Sequence, residues 1–295
     1  MKLKDWLAFI VLGTLWGSSF MWIKIAVQEI SPVMLVAIRL SFAILTLAIA
    51  AFIVRLNMPK SKRLWLVLTI FGIVNIALPY LLITWGEQYI DSTVAAILNS
   101  TTPLFAMLIA HRFLDDDRIT LPRLIGLIVG FIGIIILISR DLGSSNEYTS
   151  KVQLIILGQL AVLTASMLYA GSAVYARSNL KGLSPMVQGL VPLLGSTMLM
   201  WALAGITENP ITLPELPITW ISLAFLGILG SGIAFLLYFY LIHSVGPTRT
   251  TLVTYVFPLV GVALGVIFLN ESLDSRLVLG AVMVVSSIVV VNSSK

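Results

Sequence analysis

The second half of this sequence repeats the first. When Leu15 is placed over Leu168, the segment 15–20 (LWGSSF) falls on 168–173 (LYAGSA), and Ser31-Pro32 falls on Ser184-Pro185 with no gap between. A slightly larger shift matches Trp85 with Tyr240, Asn99 with Thr254 and Pro103 with Pro258. An internal repeat of this length means that one structural unit is built twice and that the two copies pack together.

The repeated unit is strongly apolar. Hydrophobic residues make up 59% of the chain and charged residues 11%, whereas a soluble domain has about 25% charged residues. The sequence therefore predicts an integral membrane protein. With no cysteine and two histidines, it also excludes a thiol nucleophile and the usual cysteine-based zinc sites. The basic residues stand in short loops between apolar runs, which does not favour nucleic-acid binding.

Ten apolar runs are long enough to cross a bilayer, which takes about 20 residues. They cover 5–27, 32–54, 64–86, 92–113, 121–139, 153–176, 185–205, 218–242, 248–269 and 276–292. Five helices per repeat is an odd number, so the two copies run in opposite senses across the membrane. The domain plan is a first repeat at 1–139, a polar loop at 140–152 and a second repeat at 153–295. Inverted repeats recur in secondary transporters, which makes transport the leading hypothesis.

Local signals give helix starts and orientation. Ser31 and Ser184 each precede a proline, and Asp91 and Asp274 are further candidate N-caps. If the N-terminus is cytoplasmic, most lysines and arginines lie in cytoplasmic loops, as the positive-inside rule requires. We therefore expect a multi-pass protein of the cell (inner or plasma) membrane with both termini cytoplasmic.

Several motifs together resemble the EamA-type branch of the drug/metabolite transporter superfamily. They are LWGSSF at 15–20, Ser31-Pro32 followed by Arg39, the paired Pro103 and Pro258, and FLNESL at 268–273 followed by Leu279-Gly280. The resemblance implies an all-α basket of ten helices around a central cavity, lined mainly by helices 1, 3, 4, 6, 8 and 9. It also implies that helices 5 and 10 stand apart as packing or homodimer elements. The sequence departs from the pattern at 115–117, where three aspartates replace the single acidic residue of the closing motif.

Helix 1 offers the first candidate substrate-binding residues. Trp16 and Ser19 are three residues apart and share a face, and their repeat partners are Tyr169 and Ser172. An aromatic ring beside a hydroxyl suits a substrate with an apolar body and a polar end. Alternatively, the small residues around Ser19 only permit close helix packing.

Helices 3, 4, 8 and 9 supply the other candidates. The predicted substrate-binding set adds Asn75, Tyr80, Trp85, Asn99, Tyr238, Thr254 and Tyr255. Polar groups within a span should face a cavity or another helix, because lipid offers them no partner. Two alternatives stay open: the aromatic residues could form the interfacial belt, and the Asn99 amide could make an interhelical hydrogen bond.

Helix breakers predict the moving parts. Proline bends a helix and frees a backbone carbonyl, and glycine makes the helix backbone more flexible. We expect hinge or gating positions at Pro79, Pro103, Pro258, Gly230 and Gly232.

Three charges fall within or beside the spans. Arg39 lies about two turns into helix 2, where an unpaired cation is costly, and Glu87 and Asp91 lie where they could pair with it. Structural pairing is the favoured interpretation, and Glu87 is also the one reasonable candidate for proton coupling. Paired charges would leave no full charge at the midplane and favour neutral or zwitterionic substrates. An unpaired Arg39 in the interior would suit an anion instead.

The sequence thus predicts a secondary transporter that exports small amphipathic metabolites, most plausibly amino acids, by alternating access. The partners expected are a small-molecule substrate, the lipid bilayer and a second copy of the chain. No catalytic residue, metal or cofactor is expected, and the protein is not expected to be an enzyme. A lipid flippase or scramblase and a channel-like permease are the alternatives.

Overall fold

A computed structural model describes residues 2–113, 119–140, 150–246 and 250–293. In these ranges the regular structure is helical. The helices are α1 (Leu3–Ala26), α2 (Pro32–Ile53), α3 (Lys62–Gly86), α4 (Ser92–Phe113), α5 (Leu121–Ser139), α6 (Ser150–Asn179), α7 (Pro185–Thr207), α8 (Pro217–Val245), α9 (Leu252–Leu269) and α10 (Ser275–Ser293).

The all-α membrane fold predicted from the sequence is confirmed. Within the described ranges, nine helices are long and apolar enough to cross a membrane, and the apolar part of α10, Ser275–Val291, is shorter. The ends differ from the predicted runs by a few residues, most at α6, which begins at Ser150 within the expected loop. Residues 141–149 of that loop and the three aspartates at 115–117 lie outside the described residues.

The helix starts follow two of the predicted caps. The Ser31 hydroxyl accepts a hydrogen bond from the Met34 backbone N–H at 3.2 Å, and an Asp274 carboxylate oxygen accepts one from the Leu277 N–H at 2.9 Å. The predictions for Ser184 and Asp91 are wrong, because neither side chain makes a capping bond. The Asp91 carboxylate instead forms a salt bridge described below. The free N–H groups of α4 are satisfied by a different carboxylate.

Helices α5 and α10 pack against each other through small residues. A Cβ on Gly133 would lie 3.0 Å from the Gly280 carbonyl oxygen, and a Cβ on Gly280 would lie 3.0 Å from the Gly133 carbonyl oxygen. Glycine lets two helix backbones approach this closely in a membrane, where close packing drives association. The two helices thus form a pair, and their role as homodimer elements stays a prediction.

The two repeats interlock at two equivalent helix crossings. Gly72 of α3 packs on α7, where a Cβ would lie 2.2 Å from the Pro192 carbonyl oxygen. Gly227 of α8 packs on α2, where a Cβ would lie 2.6 Å from the Arg39 carbonyl oxygen. Sliding the repeats over one another places Gly72 on Gly227 and Arg39 on Pro192. The backbone contact is therefore duplicated, although the residues across from the glycines differ.

Helix irregularities are duplicated as well. A π-helical segment spans Ile73–Ala77 in α3, and its counterpart in α8 spans Phe225–Ile233. Helix α4 is interrupted at 100–101, and the start of α9 lies within a 3₁₀ stretch, Thr251–Tyr255. Such segments mark functional sites more often than regular helix does. At membrane depth, irregular backbone is tolerated only where protein surrounds it or where it lines a water-filled cavity.

The alternating course of the helices gives the bundle two chemically different ends. We call one the acidic end, defined by Glu29, Glu87, Asp91, Glu271 and Asp274 in the connections after α1, α3 and α9. The other is the basic end, which holds Lys2, Arg55, Lys60, Lys62 and Lys181.

Candidate functional site

Trp16 stands in a cluster of aromatic rings contributed by α1, α8 and α9. Its ring centroid lies 5.6 Å from that of Tyr238, 6.5 Å from Phe235 and 5.9 Å from Phe257. The indole N–H donates to the Gly230 carbonyl oxygen at 3.1 Å. That carbonyl belongs to the π-helical segment of α8, so the irregular backbone fixes the ring. We call Trp16, Phe235, Tyr238 and Phe257 the aromatic cluster.

Arg39 lies beside this cluster, on α2. Its Nε donates to the Ser231 hydroxyl at 3.2 Å, and its guanidinium carbon lies 3.9 Å from the centroid of the Tyr80 ring. The Tyr80 and Ser231 hydroxyls are 3.4 Å apart. Because Ser231 follows Gly230, to which Trp16 bonds, the two groups of side chains adjoin. We call Arg39, Tyr80 and Ser231 the arginine cluster.

The guanidinium of Arg39 is buried, with 4% of the residue exposed. In the described part of the chain, no carboxylate lies within salt-bridge distance of it, and its bond to Ser231 is its one hydrogen bond. Its two terminal nitrogens therefore keep donors that no described residue uses. The stacked Tyr80 ring offsets part of the cost of burying the charge, but a ring cannot accept the remaining N–H groups.

This arrangement corrects the expected pairing of Arg39 with Glu87 and Asp91. The Asp91 carboxylate instead accepts a hydrogen bond from Arg140 at 3.0 Å. Glu87 lies near the end of α3 and accepts no hydrogen bond from a described residue on either carboxylate oxygen. Arg39 points to the interior because Ser231 and Tyr80 offer it a polar contact and an aromatic face there. The argument that no full charge stands at the midplane therefore fails.

Some predicted site residues gather around these clusters. Trp16 and Tyr238 are in the aromatic cluster, and Tyr80 is in the arginine cluster. Tyr169 of α6 lies close enough to Tyr80 and Arg39 to interact with both electrostatically. Asn75 lies in the π-helical segment of α3. Their role in substrate binding stays a prediction.

Other predicted site residues use their polar groups elsewhere. The Asn99 amide oxygen lies 3.4 Å from the Ser166 hydroxyl of α6. This is the interhelical hydrogen bond that the sequence analysis gave as the alternative to substrate binding. The Tyr255 hydroxyl donates to the Ile288 carbonyl oxygen of α10 at 2.9 Å. Trp85 packs edge-on against Tyr89, with ring centroids 5.1 Å apart.

The two hydroxyl candidates of the repeat motif differ. Ser19 donates to the Leu15 carbonyl oxygen of its own helix at 2.9 Å. Its repeat partner Ser172 is buried and makes no hydrogen bond to any described residue. Thr254 lies in the 3₁₀ stretch at the start of α9.

The predicted hinge residues coincide with the helix irregularities. Pro79 follows the π-helical segment of α3, Pro103 follows the interruption of α4, and Pro258 follows the 3₁₀ stretch of α9. Gly230 and Gly232 lie within the π-helical segment of α8. Bending at these positions stays a prediction, since one arrangement of the helices is described.

The acidic end is tied together by side chains from both repeats. Arg140, at the end of α5, bonds to Asp91, to Asp274 and to the Ser272 hydroxyl, the last at 2.9 Å. Burial lowers the pKa of Arg140, but the hydrogen bonds and charges of Asp274 and Asp91 raise it overall. Burial also opposes the change at Asp274, but hydrogen bonds from Leu277 and Arg140 lower its pKa overall. We call these residues the Arg140 network.

Two further carboxylates at this end bind helix N-termini of the other repeat. Glu271 accepts the Ser92 and Thr93 backbone N–H groups of α4 at 2.7 and 2.9 Å. Glu29 accepts the Leu216 N–H at 2.9 Å, beside the start of α8. A helix N-terminus favours negative charge, so these contacts hold the repeats together.

A cavity of about 790 Å³ lies at the acidic end. Its lining includes Lys24, Gln28, Glu29, Thr219 and Glu271. At the basic end, Asp5 of α1 accepts hydrogen bonds from two hydroxyls of α8, Tyr240 at 2.9 Å and Ser244 at 2.7 Å. Each end therefore has its own contacts that would have to break if it opened.

Among these residues, sequence reasoning missed Ser231, Phe235, Phe257 and Arg140. Ser231 was visible only as a small residue between two glycines, Phe235 as one of many aromatic residues, and Arg140 as a charge in a loop. The usable signal was the repeat itself, because Phe235 falls on Tyr80 when the halves are superimposed.

A bundle of apolar helices in two inverted halves, with buried polar groups between them, defines a multi-pass membrane protein of the solute-transporter class. Residues 4–139 and 156–293 each match the model of the EamA-like transporter family, and the chain belongs to that family. The family resemblance drawn from the sequence motifs is thereby confirmed.

Similar proteins cover nearly the full chain. An uncharacterized transporter of Archaeoglobus fulgidus is 26% identical over 98% of this chain and 99% of its own length. The uncharacterized inner membrane transporter YedA of Escherichia coli K12 is 29% identical over 98% of this chain and 90% of its own. A solved crystal structure superposes with a TM-score of 0.68 at 18% identity, over 98% of this chain and 96% of the other. That likeness shows the fold.

Proposed function

We propose that this protein is a secondary transporter that exports small amphipathic metabolites bearing a carboxylate, amino acids foremost. It works by alternating access in the cell membrane, with both termini cytoplasmic. The observation that carries the proposal is the buried Arg39 guanidinium, whose terminal nitrogens are free to donate beside an aromatic cluster.

The chemistry of the two clusters suits the two parts of such a substrate. A planar guanidinium binds a carboxylate through two parallel N–H donors, and Arg39 has these donors available. The rings around Trp16 offer an apolar surface for the remainder of the molecule. A zwitterion remains within this class, whereas a neutral molecule without a carboxylate would leave the guanidinium unbonded.

Alternating access would use the contacts at the two ends. The Arg140 network closes the acidic end and the Asp5 contacts close the basic end. Rocking of the repeats about the helix irregularities would break one set while the other forms. A substrate between the repeats would then meet water at one end at a time.

Counterflow in proteoliposomes tests the substrate class. Phenylalanine should exchange across the membrane, and phenethylamine, which has the same ring without the carboxylate, should not. Arg39→Gln should strongly reduce phenylalanine exchange, and Arg39→Lys should restore part of it. Lys62→Gln, at an exposed site on the basic end, is the matched control and should behave like the parent. Equal transport of phenethylamine by the parent would contradict the proposal.

Direction and class need separate measurements. Cells that express the protein should resist toxic amino-acid analogues, and sensitisation would show import instead. Saturable, substrate-specific flux supports a transporter, whereas a large ohmic current would show a channel. Scrambling of labelled lipids in the absence of any amino acid would show the flippase activity.

A further inference from the structure

Glu87 is the first residue after α3 and is completely buried. Neither of its carboxyl oxygens receives a hydrogen bond from any described residue. Glu271, at the same end of the bundle, differs in this respect because two backbone N–H groups bind its carboxylate. Glu87 therefore lacks the donors that an ionised carboxylate normally has.

An ionised carboxylate can only accept hydrogen bonds, and burying it without donors is strongly unfavourable. A protonated carboxyl group carries no charge and needs no cluster of donors. The surroundings of Glu87 in this closed arrangement consequently fit the protonated form.

The charged groups that act on Glu87 come from three other segments. They are Lys24 of α1, Glu271 in the connection before α10, and Arg39 of α2. The Lys24 ammonium is fixed beside it, donating to the Glu87 and Ile90 carbonyl oxygens at 2.7 Å each. An ammonium bound to the Glu87 main chain can pair with the ionised side chain of the same residue once water enters.

Lys24 also connects this site with the cavity at the acidic end. Lys24 and Glu271 both line that cavity, and the two bonds from Lys24 hold α1 to the end of α3. Separation of these helices would release Lys24 from the carbonyl oxygens and admit water from the cavity to Glu87. Opening the acidic end and ionising Glu87 are therefore linked by one side chain.

We propose that Glu87 is a proton-binding site, occupied while the acidic end is closed and emptied when that end opens. On opening, the carboxyl O–H bond breaks, the proton passes to water in the cavity, and the carboxylate pairs with the Lys24 ammonium. On closing, the carboxylate takes a proton back from water before it is buried. The link to transport rests on the proposed function, but proton binding itself does not.

Infrared difference spectroscopy of the protein in bilayers tests the site without any substrate. A pH step should reveal the C=O stretching band of a buried protonated carboxyl group, and Glu87→Gln should lose that band. The double variant Glu87→Gln/Gln88→Glu restores the carboxylate at the exposed neighbouring position and should not restore the band. A band that persists in Glu87→Gln, or that is absent from the parent at every pH, would overturn the proposal.

A second variant keeps the test independent of the folding of Glu87→Gln. Lys24→Gln removes the cation that favours ionisation, so the band should persist to a pH higher by a unit or more. An unchanged titration midpoint would overturn the role given to Lys24 and with it the linkage to opening. If the band behaves as expected but the parent transports no carboxylate, the proposed function fails and the proton site stands.

Discussion

The two interlocking helix crossings have the same backbone contact but different chemistry. At one crossing Gly227 lies against Arg39, and at the other Gly72 lies against Pro192. The first places a buried cation between the repeats, while the second places an apolar ring at the equivalent point. Close packing is thus required twice by the fold, whereas the charge is present once. This difference indicates that Arg39 has a role beyond holding the repeats together.

The largest expected effect is the difference in transport between variants of Arg39 and of Pro192, because only Arg39 is proposed to bind substrate. Arg39→Gln should reduce transport of a carboxylate substrate by roughly 30–150-fold, since losing a buried charged contact costs ~2–3 kcal/mol. Pro192→Ala keeps the backbone carbonyl that meets Gly72 and should leave transport within about threefold of the parent, because it touches no ligand in our proposal. Initial rates of counterflow measure both. Equal losses in the two variants would show that both positions act only through packing.

Replacing either glycine of the two crossings should reduce stability to a similar extent, unlike the replacements of Arg39 and Pro192, which should differ in transport. Gly72→Ala and Gly227→Ala each introduce a Cβ that clashes with a backbone oxygen, so each should cost about 1–3 kcal/mol of stability. Gly205→Ala in α7, where nothing lies within 4 Å of the new Cβ, is the control and should be neutral. Thermal unfolding in detergent, followed by size-exclusion chromatography, gives the comparison. A stable Gly227→Ala variant beside an unstable Gly72→Ala variant would break the equivalence of the crossings.

A smaller effect is expected from the hydroxyl that supports Arg39. Ser231→Ala removes the acceptor of the Arg39 Nε donor and should cost ~1 kcal/mol, or about fivefold in the KM for substrate. Its repeat counterpart is Ile76, where Ile76→Val should leave KM unchanged. An unaltered KM in Ser231→Ala would mean that Tyr80 alone positions the guanidinium.

The smallest expected effect is a pH dependence of stability, which should come from the Arg140 network and not from the helix crossings. Because the pKa of Asp274 is lowered in the folded protein, its contribution to stability is present above its usual pKa and is lost as the pH falls through the lowered value. Asp274→Asn should therefore be less stable than the parent near neutral pH, and the difference should shrink below about pH 4. Glu208→Gln is the control. A difference that stays constant down to pH 3 would exclude the ionised carboxylate as its source.

The repeat and the helix limits could be predicted because they depend on local composition. Ten apolar runs and the caps at Ser31 and Asp274 follow from hydropathy and from side chains a few residues away. The π-helical segments could not be predicted, since Ile73–Ala77 and Phe225–Ile233 have no local sequence feature that fixes a helix type. The sequence predicted only that Pro79, Gly230 and Gly232 would be irregular positions in these helices.

The candidate site was predicted less well because it depends on which helices pack against one another and which of their side chains come into contact. The sequence offers Glu87 and Asp91 as partners for Arg39, and only the assembled fold shows that Asp91 forms its salt bridge with Arg140. The aromatic partners of Trp16 include Phe257, which had no polar group to attract notice. Tyr255 had the right depth, yet its hydroxyl bonds to α10.

The contact between Glu271 and α4 has a consequence for biosynthesis. The N–H groups of Ser92 and Thr93 receive their carboxylate partner from a residue near the end of the chain. While the ribosome is still making the second half, the start of α4 can only be satisfied by water or lipid headgroups at the membrane surface. The first five helices thus enter the bilayer before one of them has its permanent cap, and the last connection of the chain completes it.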